Sequence, residues 1–286
     1  MRLADVGGNL ATRIAVNQGT TIDTYQGLDI NQLLSDIRGQ DVLIGVHGYN
    51  VNRADGITHL SNWAGLLQLP TPSIFVGLLW PGDSIWAHGL DYPEEPKIAN
   101  EAGALVGPFL DTNFTNAASI SFASHSLGAR VVLATISNMK LPVRRTILMA
   151  GAIDDNCLDT EFQDAAEKIG KISALASKKD KVLSALFPLG NLVGGIIAEG
   201  HPWWHAALGH SGPSNPKPGT FQSPFEIPSN WDYGHHDYLQ IDPPPPPGPV
   251  LALPTNVPSE GAPKPASGVT GWQEAFSAAF CSTRFE

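Results

Sequence analysis

Cysteine is nearly absent from this chain: Cys157 and Cys281 are the only two among 286 residues. Such a sparse pair is not the disulfide framework of a small secreted domain, and the two read as unpaired thiols. Basic residues are also few. Seventeen Lys and Arg stand against 27 Asp and Glu, a formal net charge of -10, with no basic cluster to offset it. Phosphate backbones would be repelled, which argues against nucleic acid as a partner. No long apolar run is present either. The uncharged apolar stretch Val182 to Ala198 is broken by Pro188 and several glycines and is too short to span a bilayer. The opening MRLADVGGNLATR lacks a basic segment followed by an apolar one, so no secretory signal is visible and a cytoplasmic location is expected.

What is present is a chain 42% hydrophobic, enough to build one elaborated domain around a sizeable core. Five β-rich apolar runs stand out: Asp41 to His47, Ser73 to Trp80, Ala117 to Ser124, Arg145 to Ile153 and Lys171 to Ser177. Their near-continuous Val, Ile, Leu and Phe content suits strands covered on both faces. Helical patterns over Ala54 to Leu69, Pro96 to Leu110, Leu127 to Met139 and Asp159 to Ile169 alternate with them. That alternation predicts βαβ units, hence a mostly parallel central sheet with helices on both faces. Arg13 to Val16 is an expected antiparallel edge strand. The main domain is expected over residues 1–241. A proline-rich stretch, 242–270, reads as an extended surface strap, and 271–286, opened by the capping-box spacing of Thr270 and Gln273, as a docked final helix.

The most informative residues are Ser124-His125-Ser126-Leu127-Gly128, directly after one of the runs and before a helical pattern. A small-x-Ser-x-small sequence in that context places a serine on a strained strand-to-helix turn, where it is exposed as a nucleophile. Ser124 stands where the common GxSxG pattern has its first glycine, and it is small enough for that packing position. The run Asp41 to His47 leads into His47-Gly48-Tyr49-Asn50, an HG-type turn suited to half of an oxyanion hole. Backbone N–H groups of Tyr49 and Leu127 would then converge on a tetrahedral intermediate.

Together the pieces VLIGVHGYN, LLWPGD, ISFASHSLGARVVL, ILMAGAID and LASKKDKVL resemble the α/β-hydrolase superfamily, and most of all a bacterial branch of hydrolase-like proteins of unknown function. The resemblance runs in order from Asp41 to Leu239. It implies the α/β-hydrolase fold and a serine hydrolase with its triad in the order Ser, acid, His. A serine needs a base, and the base needs a carboxylate to fix its tautomer. The histidines in the expected place are His235 and His236. The family's pattern of residues after its histidine matches His236 better, with His235 as the alternative. Asp180, in the loop after Lys171 to Ser177, is the expected acid, and Asp154 and Asp155 are its rivals one strand earlier.

The compact spacing between Ser126, Asp180 and the histidines leaves little room for a cap before Asp180. Covering elements are therefore expected from Trp80 to Glu95 and from a lid-like insertion at about 181–228. His47, Gly48, Trp80, Trp203 and Trp204 are expected to border an apolar acyl site. The function expected from these residues is a carboxylesterase acting on small or medium acyl esters, with a small-molecule ester as partner and no cofactor. Two other readings are a metal-dependent hydrolase using His201, His205 and His210, and a non-catalytic binding protein on a hydrolase scaffold. Pro202 within the histidine segment, and the absence of a zinc-protease glutamate, count against the metal site.

Overall fold

The computed structural model describes residues 1–7, 13–67, 69–82, 95–184, 205–217, 227, 229 and 233–238. The proline-rich strap, the final helix, Cys281, and most of the lid-like insertion with His201, Trp203 and Trp204 lie outside these residues.

Eight strands form one sheet: β1 (Arg2–Asp5), β2 (Ala15–Gln18), β3 (Gln26–Gly27), β4 (Asp41–Val46), β5 (Ser73–Leu79), β6 (Ser119–His125), β7 (Val143–Met149) and β8 (Ile169–Leu175). Their order is β3-β2-β1-β5-β4-β6-β7-β8. From β1 to β8 every neighbour is parallel, while β2 and β3 add an antiparallel edge. All five expected runs are strands, with ends shifted by a few residues. The central strands β4, β6 and β7 are buried along nearly their whole length, which is why their sequences read as continuous apolar runs rather than alternating ones. The expected strand at Arg13 to Val16 is β2, one place in from the edge, because the two-residue β3 pairs outside it.

The helices that flank the sheet are α1 (Ile30–Ile37), α2 (Arg53–Leu66), α3 (Glu95–Asn113), α4 (Gly128–Ser137) and α5 (Gln163–Lys168), and single helical turns occur at Ile22–Thr24 and Leu208–Ser211. Asp29 caps α1 by accepting from the Asn31 N–H, and α1 buries Leu33 and Ile37. Asn52 caps α2 in the same way through the Asp55 N–H. The chain winds outward from β4 to β5, then turns back across β4 to β6, β7 and β8. Right-handed crossovers therefore put α2 on one face and α3, α4 and α5 on the other. Contacts of α3 with α4, and of α4 with α5, agree with that placement. The reversal falls between β4 and β6, so the segments leaving these strands diverge to opposite faces and open a crevice at their C-terminal ends. Those two segments are His47-Gly48-Tyr49 and Ser126-Leu127-Gly128.

Candidate active site

Ser126 comes directly after the last residue of β6 and has φ of 53°, a left-handed backbone that a non-glycine residue adopts only when its surroundings enforce it. Three hydrogen bonds do so. The Ser126 N–H donates to the Met149 carbonyl at 3.0 Å, and the Ser126 carbonyl accepts from the N–H groups of Ala129 and Ala152, both at 3.1 Å. The elbow is thus fastened to the end of β7 and to the first turn of α4. Gly128 permits the close approach this needs, since a Cβ there would lie 2.4 Å from the His47 carbonyl oxygen. Ser124 is fully buried and paired in register with Val46 and Leu148. Its Oγ has no hydrogen-bond partner among the described residues.

His235 Nε2 lies 2.9 Å from Ser126 Oγ, and His235 Nδ1 lies 2.8 Å from Asp180 Oδ2. An ionised carboxylate only accepts, so Nδ1 carries the proton and Nε2 is left to accept from the serine hydroxyl. The ring that lies between Ser126 and Asp180 is that of His235, the alternative, and not that of His236, which the resemblance favoured. The turn 234–237 is closed by Asp237, which accepts the Gly234 N–H at 2.7 Å, and it turns the two adjacent rings nearly at right angles, 85°. His235 points inward, 7% exposed, and His236 is exposed. The family pattern misled because it weighs the residues after the histidine. Tyr233, two residues upstream of His235, is fully buried, but the turn that follows it breaks the alternation by which a sequence would show which ring faces inward.

Asp180 is fully buried although Lys178, Lys179 and Lys181 around it are exposed. Its second oxygen, Oδ1, accepts the Leu183 N–H at 2.9 Å, so the carboxylate caps the helical turn 181–184 while Oδ2 faces His235. Of the rivals, Asp155 is engaged elsewhere: its Oδ1 meets His205 Nδ1 at 3.0 Å. The Asp154 main chain forms a β-bridge with Ala207, so these two residues tie down the segment from His205 to Ala207. His205 spends its other ring nitrogen on the Asn156 side-chain amide at 3.1 Å, and His210 Nδ1 lies 3.2 Å from Ser211 Oγ. Among the described residues no three His, Cys, Asp or Glu side chains are gathered to hold a metal ion.

Gly48 lies directly against the nucleophile: a Cβ on it would come within 3.0 Å of the Ser126 Cβ. The turn that carries it is held by the Asn50 N–H donating to the Gly82 carbonyl at 2.6 Å. His47 and Trp80, expected beside the acyl group, are instead buried behind this turn. Their rings stack with centroids 5.8 Å apart, and the Trp80 indole N–H donates to the His47 carbonyl at 2.9 Å. His47 Nδ1 lies 2.9 Å from the Gly48 carbonyl and its Nε2 lies 3.4 Å from the Trp80 N–H. The carbonyl must accept and the amide must donate, so the proton is on Nδ1. Burial lowers the His47 pKa to about 4 and keeps the ring neutral. With the Gly48 carbonyl held toward that ring, the Tyr49 N–H of the same trans peptide points the opposite way. Sequence reasoning missed this supporting role, since an HG pair names the turn but not what lies behind it.

No helix among the described residues is long and apolar enough to cross a membrane. Neither the curated proteins nor the solved structures contain a match to the chain. A family model described as alpha/beta hydrolase of unknown function (DUF900) matches residues 24–197, more than half of the chain, and the chain belongs to that family.

Proposed function

We propose that this α/β hydrolase is a serine carboxylesterase that cleaves small or medium acyl esters through an acyl-enzyme at Ser126. The observation that carries the reading is the unbroken hydrogen-bonded chain from Ser126 Oγ through the His235 ring to the Asp180 carboxylate. His235 would take the serine proton as Oγ attacks the ester carbonyl, then pass it to the departing alkoxide, and Asp180 would stabilise the imidazolium between those steps. Water activated by the same ring would release the acid. The N–H groups of Tyr49 and Leu127 suit the oxyanion. The first is turned away from His47 beside Ser126. The second lies at the N-terminal cap of α4, where the helix dipole favours negative charge.

A fluorophosphonate probe tests the nucleophile, since it labels an activated serine and spares an inert one. Wild-type protein should be labelled and should hydrolyse members of a p-nitrophenyl acyl ester series. Ser126→Ala should be folded, unlabelled and inactive. A Ser126→Ala variant that keeps the wild-type rate would end the serine-hydrolase reading, and a folded wild type that neither labels nor turns over would favour a binding protein.

A further inference from the structure

His125 and Ser126 are neighbours in the chain, and both hold His235. Ser126 Oγ meets the His235 ring, while His125 Nε2 lies 2.8 Å from the His235 main-chain carbonyl. A carbonyl oxygen only accepts, so the His125 proton sits on Nε2. The ring is 3% exposed and its centroid lies 4.9 Å from that of His235. Its Nδ1 edge faces Gly48, where a Cβ would come within 3.1 Å. His125 thus fills the space between the elbow, the 48–50 turn and the base.

We propose that His125 is a positioning residue for His235, an inference that rests on the serine-hydrolase reading above. The peptide bond from His125 to Ser126, the two hydrogen bonds and the His235 residue itself form a closed ring. A shift of the whole 234–237 turn away from the elbow therefore stretches both hydrogen bonds, and His125 opposes it at the main chain while Ser126 meets the ring. Other ties on this segment act on its neighbours: Ser177 Oγ donates to the Tyr233 carbonyl at 2.6 Å, Asp237 accepts from the Gly234 N–H, and the Asp237 N–H donates to the Gly234 carbonyl at 3.3 Å. Among the described residues, His235's own carbonyl is bound by His125. Burial and the adjacent His235 keep the His125 pKa well below its ordinary value, so the donor stays neutral and does not compete with the imidazolium formed beside it.

His125→Phe keeps a ring of similar size and removes the donor. His125→Gln replaces it with a side-chain amide of similar reach. A displacement of about 1 Å costs roughly 100-fold in rate. The Phe variant should therefore lose a factor of that order in kcat and in its rate of fluorophosphonate labelling, with KM for the p-nitrophenyl ester little changed. The Gln variant should recover most of the loss. A folded Phe variant with wild-type kcat, or a folded Gln variant as slow as the Phe variant, would overturn the proposal while leaving the triad reading intact. A wild type that neither labels nor turns over would defeat the triad reading instead. Should the Phe variant fail to fold, nitrogen-15 NMR of wild-type protein decides. The expected His125 signal, assigned by its absence in His125→Gln, has a protonated, exchange-protected Nε2 and a bare Nδ1. A proton on Nδ1 alone would overturn the proposal.

Discussion

Acid should unfold this protein partly through His47. In the unfolded chain this side chain binds a proton near the ordinary 6.5, whereas in the fold burial holds its pKa at about 4. Between these values the unfolded state binds more protons, so stability rises with pH across the window. The contribution is complete above about pH 6.5 and is lost as pH falls toward 4. At ~1.4 kcal/mol per pH unit the gap amounts to about 3 kcal/mol. The perturbation is His47→Asn, whose amide N–H replaces Nδ1 as donor to the Gly48 carbonyl and cannot titrate. It loses the stacking on Trp80, a cost that is the same at every pH. Thermal melts or urea titrations of both proteins, at intervals from pH 8 to 4, measure the effect. The His125 contribution has the same sign and cancels in the comparison. The wild type should lose about 3 kcal/mol more than the variant on acidification, or roughly 6–10 °C more in Tm. Parallel stability curves for the two proteins would refute the reasoning.

Three further outcomes are expected. Asp180→Asn should lower kcat by about 10⁴-fold by favouring the wrong imidazole tautomer, while Asp155→Asn stays near the wild-type rate; steady-state kinetics with one ester that ranked the two the other way would move the acid to Asp155. His235→Ala should abolish phosphonate labelling and His236→Ala should not, as a labelling time course would show. Ser124→Ala removes a buried hydroxyl that has no partner among the described residues, and it should stabilise the fold by about 1 kcal/mol, read as a raised Tm with unchanged kcat.

Much of the scaffold was legible in the sequence because burial on both faces writes itself as apolar runs. β4, β5, β6, β7 and β8 announce themselves in this way, and the helical patterns between them imply parallel crossovers. The shorter pieces were not legible. Four-residue β1 carries Arg2 and Asp5 at its ends, β3 has only two residues, and α1 shows its single face of Leu33 and Ile37 only when a sheet is there to cover. Pairing with β2 and β5 makes Arg2–Asp5 a strand, and nothing in its four residues requires it.

The site divides in the same manner. Ser126 was readable because the elbow is local: strand, small residue, serine, glycine and helix are consecutive. Asp180 was the expected acid from its position after a strand, but what brings it rather than Asp154 or Asp155 to the histidine is a tertiary fact, that residues 233–238 return to the end of β8 while 205–207 lie over the end of β7. His235 and His236 differ by one position in the chain and by nearly a right angle in space. Asp237 closing its turn on Gly234, and Tyr233 buried beneath, decide which ring meets the serine. His47 and Trp80 likewise look like substrate contacts along the chain, and only the fold shows that both are buried and stacked on each other. Sequence alone determined where apolar surface had to be covered and where the backbone had to turn sharply. Only the tertiary structure decided which polar groups meet, because a hydrogen bond depends on directions and on fractions of an ångström set by segments far apart in the chain.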